Sequence, residues 1–157
     1  NLHISKKVKT LIKNSEYKFC INTNFKSVLN QIKNYHKDSW IEENYEKLLI
    51  NLNNLKNNNS NFKLVSIELY DKNNEKLVSG EIGYMISKTY TSLTGFSSKS
   101  KLYNNWGKLQ MVLLALYLEE NRFDFWNLGH PYMQYKFDLG AKLYSRDEFL
   151  KRWLNSI

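Results

Sequence analysis

Residues 62–97 read FKLVSIELYDKNNEKLVSGEIGYMISKTYTSLTGFS, and this stretch decides the fold. Apolar and polar residues alternate with a period near two, which predicts strands over residues 62–70, 75–87 and 89–97. The cluster Asp71-Lys72-Asn73-Asn74 is a turn signal between the first pair, and Ser87-Lys88 joins the second. Connections this short make the three strands an antiparallel meander. Downstream, residues 105–121 form a strong helical pattern with Leu109, Val112, Leu113 and Leu116 as the expected buried stripe. A strand over 123–128, a short helix or turn from Pro131, a short strand at Leu143 and a helix over 146–154 complete that side. Upstream, the low-complexity run NLNNLKNNNSN at 51–61 reads as a helix end followed by an Asn-rich loop over 56–61. Before it the period is helical, with Ile4, Val8, Leu11 and Ile12 on one face, then Phe25, Val28, Leu29 and Ile32, then Ile41, Tyr45, Leu48, Leu49, Leu52 and Leu55. A short strand at 17–21 separates the first two helices. A meander followed by helix, strand and a shorter helical unit predicts an α+β fold with one mixed sheet and flanking helices.

The chain has 157 residues, 42% of them hydrophobic and 15% aromatic, which fits one domain over 1–157 with a sizeable core. No stretch has the uninterrupted apolar length of a membrane span or the layout of a secretory signal. The single cysteine, Cys20, excludes an internal disulfide framework and a Cys-rich zinc site, and is compatible with a reducing compartment. With 23 Lys+Arg against 15 Asp+Glu, the formal charge is +8. Two readings of that excess stay open: an anionic partner, or a solvated surface loaded with Lys and Asn by A/T-rich codons.

His3, His36 and His130 stand far apart in sequence and form no zinc-ligand spacing, so no metal is expected. Cys20 lies in an apolar strand, which favours a structural thiol over a nucleophile. There is no G-x-S-x-G elbow, P-loop or G-x-G-x-x-G. The most unusual local sequence is Trp126-Asn127-Leu128-Gly129-His130-Pro131, at the end of an expected strand, where sites in mixed sheets tend to lie. Asn127 can both donate and accept hydrogen bonds there, and Gly129 permits close backbone approach to a ligand. An ordinary turn is the other reading of the same residues.

Several ordered motifs together resemble the leucyl/phenylalanyl-tRNA–protein transferases. They are Ser39-Trp40-Ile41, Ser66-Ile67-Glu68, the hairpin from Leu77-Val78-Ser79-Gly80-Glu81-Ile82-Gly83-Tyr84 to Phe96-Ser97, the helix start Trp106-Gly107-Lys108-Leu109, and Leu139-Gly140-Ala141 followed by Arg146-Asp147-Glu148-Phe149-Leu150. Residues 1–16, an N-terminal helix, lie outside these motifs. The resemblance implies an acetyltransferase-like (GNAT) fold and no cofactor. It also implies a cytoplasmic enzyme that modifies protein N-termini for degradation, with aminoacyl-tRNA and an acceptor protein N-terminus as partners. The activity implied is transfer of Leu or Phe from the tRNA ester to the N-terminal amine. Trp40, Tyr90 and Phe96 are then expected to form an aromatic pocket for the aminoacyl group or terminal adenine. Asn127 would bond the reacting carbonyl or amine, Gly129 would line the substrate site, and Lys108 would meet phosphate or support the pocket.

The departures fall on the chemistry. The glutamate of the family's G-E-S motif becomes Leu93, and its D-C-Q motif becomes Asn127-Leu128-Gly129. Leu93 makes the expected pocket more apolar, and Asn127 cannot serve as a carboxylate base. A slow transferase is still physically possible. An α-amine has a pKa of about 7.7–8.0, so a fraction is already neutral near neutral pH. Positioning can supply about 7–11 kcal/mol, whereas a lost general base costs about 10²–10⁴ in rate. Two further readings are a non-catalytic module of the same fold that binds tRNA or a protein terminus, and an acetyl-CoA-dependent N-acetyltransferase. The latter needs a glycine-rich turn gripping pyrophosphate at a helix N-terminus, and residues 104–108 offer only Gly107 beside a bulky Trp106.

Overall fold

The computed structural model describes residues 2–36, 39–55 and 61–157. Strands β2 (Phe62–Asp71), β3 (Lys76–Ile86) and β4 (Thr89–Ser97) form the antiparallel meander. Its first turn is held by side chains: Asp71 Oδ1 accepts from Asn73 N at 3.0 Å, and Asn74 Oδ1 from Lys76 N at 3.0 Å. Competition of this kind with ladder hydrogen bonds is why Asx residues end strands. β1 (Tyr17–Ile21) adds antiparallel to β2, and β5 (Phe125–Asn127) adds parallel to β4, giving a five-stranded mixed sheet in the order β1-β2-β3-β4-β5.

Alternation along the strands splits the core between two faces. Leu64, Ile82 and Phe96 face α2 (Phe25–Tyr35) and α3 (Glu43–Asn54), packing on Phe25, Val28, Leu29, Ile32 and Leu49. Ile67, Leu69, Val78 and Tyr90 face α1 (Lys6–Asn14) and α4 (Trp106–Glu120), where Val8, Leu109, Val112 and Leu114 are buried. Gly107 brings α4 against β4, since a Cβ there would lie 2.9 Å from Ser97 Oγ. After β5, α5 (Gln134–Asp138) and α6 (Arg146–Leu154) close one end; α6 begins at a Ser145–Glu148 capping box.

The expected helix at 105–121 is present, but its buried stripe is turned. Leu114 and Leu118 are buried, while Leu116 is exposed. Apolar residues encircle α4, so periodicity alone does not orient it. The strand expected at 123–128 shortens to Phe125–Asn127, an edge strand paired on one side only. No strand forms at Leu143, which is exposed in the irregular segment before α6. The Asn-rich loop expected at 56–61 lies, apart from Asn61, outside the described residues. No helix among the described residues is long and apolar enough to cross a membrane.

Candidate functional site

β4 and β5 pair over three residues and then part. On β4 the register against β3 shifts: Ser92 faces Gly83 while Thr94 faces Ile82, leaving Leu93 as the extra residue of a bulge. On β5 the chain leaves the sheet after Asn127. A cleft of about 650 Å³ runs along β5 and the turn after it, lined by Phe125, Trp126, Asn127, Gly129 and Lys136 and by residues of α6, with no residue of β4 in its wall. Asn127 Oδ1 accepts the Gly129 backbone N–H at 2.9 Å, and Gly129 has a positive φ of 74°. The Asn127 side chain therefore folds the turn that shapes the mouth. Glycine serves there for its backbone conformation.

Lys136 locks the same turn from behind. Its Nζ donates to Leu128 O at 2.6 Å and to His130 O at 2.7 Å. The side chain is buried, and that burial pulls its pKa below the ordinary lysine value while the charge of Glu81 opposes the shift. Around the cleft, Lys136, Lys142, Arg146 and Arg152 stand against Asp124 alone. The guanidinium of Arg152 sits 4.4 Å over the Tyr144 ring. The cleft is cationic and has an apolar floor.

Behind its Trp126 wall lies a buried polar network. Trp126 Nε1–H donates to Ser92 Oγ at 3.0 Å, and Ser92 Oγ–H donates to Glu81 Oε1 at 2.7 Å. Tyr90 donates to the same oxygen at 2.7 Å, and Gln110 Nε2 donates to Glu81 Oε2 at 3.2 Å. Glu81 is 7% exposed. Burial pushes its carboxyl above the ordinary value, while the bonds from Ser92, Tyr90 and Gln110 and the charge of Lys136 pull the other way. Burial and the Glu81 carboxylate raise Tyr90 well above an ordinary phenol. Gly83 makes the network possible, because a Cβ there would lie 2.3 Å from Tyr90 Oη.

The residues expected to form a site are only partly brought together. Asn127 and Gly129 line the cleft. Leu93 is exposed at the bulge and is not part of the cleft wall. Trp40, Tyr90 and Phe96 do not form one aromatic pocket. Tyr90 is fully buried among the residues facing α4, Phe96 packs on α2 across the sheet, and Trp40 is half-exposed with its edge on Tyr45. The bulge at Leu93 and the two-face alternation separate them. Lys108, in the first turn of α4, lies 3.8 Å from Asp138 and is not part of the cleft wall. Sequence reasoning missed Glu81, Ser92 and Lys136. The available signal was a glutamate inside an otherwise apolar and glycine-rich strand. Among the described residues, no group of three or more His, Cys, Asp or Glu side chains is placed to hold a metal ion.

An α+β chain with a cationic cleft along its edge strand β5 is suited to binding an anionic, extended ligand. The family model described as leucyl/phenylalanyl-tRNA protein transferase matches residues 1–154, and the chain belongs to this family. The match takes in the N-terminal helix that the sequence motifs left aside. No curated protein matches the chain.

Proposed function

We propose that this chain carries a Leu or Phe group from charged tRNA to the N-terminal amine of a protein, slowly, on a GNAT-like scaffold and without a cofactor. The family membership supports the aminoacyl-tRNA transferase class. The observation that carries the reading is the cleft at the end of β5, with Asn127 and Gly129 at its mouth and cations around it. Lys142, Arg146 and Arg152 would face the phosphates of the tRNA 3′ end, and Asn127 would bond the ester carbonyl or the incoming amine. Leu93, exposed at the bulge, would meet the apolar aminoacyl side chain. Trp40 and Phe96 fit a supporting role on the opposite layer, and Lys108 at most a peripheral phosphate contact.

A non-catalytic module that binds charged tRNA or a protein terminus remains the second reading, favoured by Leu93 and Asn127 in place of the family's carboxylates. The acetyl-CoA reading is disfavoured by packing. Tyr103 and Trp106, both buried, meet edge to face at 5.3 Å over the first turn of α4, where pyrophosphate would have to sit.

Binding measurements test the proposal. Leucyl- or phenylalanyl-tRNA should bind more tightly than deacylated tRNA. Affinity should fall with log salt by about 0.7–0.9 per phosphate contact, with a shallower slope after Arg146→Ala and Arg152→Ala. Equal binding of aminoacylated, deacylated and unrelated RNA would remove the proposal. Specific binding with no transfer, in the wild type and in Leu93→Glu/Asn127→Asp alike, would leave the binding-module reading.

A further inference from the structure

The two motif positions that would hold carboxylates carry Leu93 and Asn127, yet one buried carboxylate stands beside both. Ser92 precedes Leu93 and Trp126 precedes Asn127. The Ser92 hydroxyl joins them, accepting from Trp126 and donating to Glu81. Glu81 lies on β3, whereas Leu93 is on β4 and Asn127 on β5, so its carboxylate comes from a different strand than the lost ones. Holding the layers together does not require it. A glutamine would accept from Tyr90 and Ser92 with its amide oxygen, needing only that Gln110 turn its own amide. It would avoid the cost of burying a charge, which is several kcal/mol for an unpaired ion. Among the described residues no cation makes an ion pair with Glu81. The titratable groups acting on it are Tyr90 from β4 and Lys136 and Tyr135 from α5, with the neutral Gln110 from α4.

We propose that Glu81 is the proton acceptor of the transfer reaction, acting through the Ser92 hydroxyl at the parting of β4 and β5. The inference rests on the transferase reading above. Ser92 lies outside the cleft wall but is partly exposed one residue past the last β4–β5 pair, Thr91 with Asn127. Its oxygen, which accepts one hydrogen bond and donates another, keeps a lone pair for an amine N–H that approaches beside Asn127. As the amine nitrogen bonds to the ester carbonyl carbon, its proton passes to Ser92 Oγ, and the Ser92 hydroxyl proton passes to Glu81 Oε1. When the carbon–oxygen bond to the ribose breaks, the proton returns through Ser92 to the leaving ribose oxygen. An amide has replaced the ester, and Glu81 and Ser92 end as they began. Glu81 is a positioning residue and proton store, and Ser92 is the group that touches substrate. Burial raises the carboxyl above its ordinary value, which makes the carboxylate a stronger proton acceptor than one in water.

Single-turnover transfer from leucyl- or phenylalanyl-tRNA to a peptide with a free N-terminus tests this, in wild type, Glu81→Gln, Ser92→Ala and the double variant. Each single variant should lose about 10²–10⁴ in rate, and the double variant should fall no further, because the two residues act as one path. Glu81→Gln should also lose the acid limb of the pH–rate profile while its affinity for charged tRNA stays unchanged. Wild-type rates in both single variants, additive losses, or a lower rate with an unchanged pH profile would overturn the relay and leave the transferase reading standing. The second measurement needs no turnover: the Trp126 indole N–H resonance, titrated with the same peptide. It should move in wild type and stay still in Ser92→Ala. If no transfer occurs but the resonance still moves in a Ser92-dependent way, the transferase reading fails and the amine contact stands. If neither occurs, both are overturned.

Discussion

Two buried carboxylates on adjacent strands solve different problems. Glu68 of β2 faces α2, and its Oε1 accepts the backbone N–H groups of Thr23 at 2.9 Å and Asn24 at 2.8 Å and the Ser66 hydroxyl at 2.7 Å. Thr23 Oγ1 and Tyr70 Oη donate to its other oxygen. Glu81 of β3 faces α4 and receives side-chain donors only. The first carboxylate satisfies the start of α2, where backbone N–H groups lack helical partners. The second has hydroxyl neighbours that can pass a proton on. Backbone donors fix a charge in place, whereas a partly exposed serine hydroxyl bonded to a carboxylate can exchange a proton with it.

The sharpest way to break this contrast is Glu68→Ala, which leaves two backbone N–H groups and three hydroxyls without their acceptor. Urea unfolding should show a loss of about 4 kcal/mol. A loss below about 1 kcal/mol would mean that water replaces the carboxylate and that the fold does not depend on it. Next in size is Gly83→Ala, whose Cβ would meet Tyr90 Oη at 2.3 Å and Thr91 O at 2.6 Å. Overpacking of this kind should cost about 2–3 kcal/mol and displace Tyr90 from Glu81.

Much of this contrast was hidden in the sequence. The meander was legible because period-two patterning and Asx-rich turns agree over residues 62–97. The first two helices were equally plain, but the stripe expected for the third is not kept. In α3 only Leu49 is buried, Tyr45 and Leu48 are half-exposed, and Ile41 and Leu55 lie outside the helix. The strand at 123–128 was overestimated because Phe123 and Phe125 look like strand residues, although Phe123 packs with the α4 cluster before the strand begins. At the site, Asn127 and Gly129 were visible as an odd turn after a strand. The supposed aromatic pocket was not, because a single bulge at Leu93 changes which face the following residues take. Glu81 was missed for a related reason: its partners Ser92, Gln110 and Trp126 come from three other elements, and no local pattern joins them.

The smallest expected effect is the pH dependence of stability. Burial raises the Glu81 carboxyl in the folded chain above the ordinary 4.5, so the folded state holds its proton more tightly than the unfolded state does. Stability of the wild type should therefore decline as pH rises from that ordinary value through the raised folded one. Glu81→Gln lacks this decline, and its Tm relative to wild type should climb across the same window. Parallel Tm curves for the two proteins would show that Glu81 ionises in the fold as easily as in water.

The central claim is that the cleft at the end of β5 transfers an aminoacyl group. Its most direct test is mass analysis of a peptide with a free N-terminus after incubation with the protein and leucyl- or phenylalanyl-tRNA. The predicted result is slow addition of one Leu or Phe residue at the N-terminal amine, absent when the peptide's amine is acetylated and strongly reduced in Arg146→Ala/Arg152→Ala. An unmodified peptide after many half-lives of the charged tRNA, with that tRNA bound specifically throughout, would contradict it.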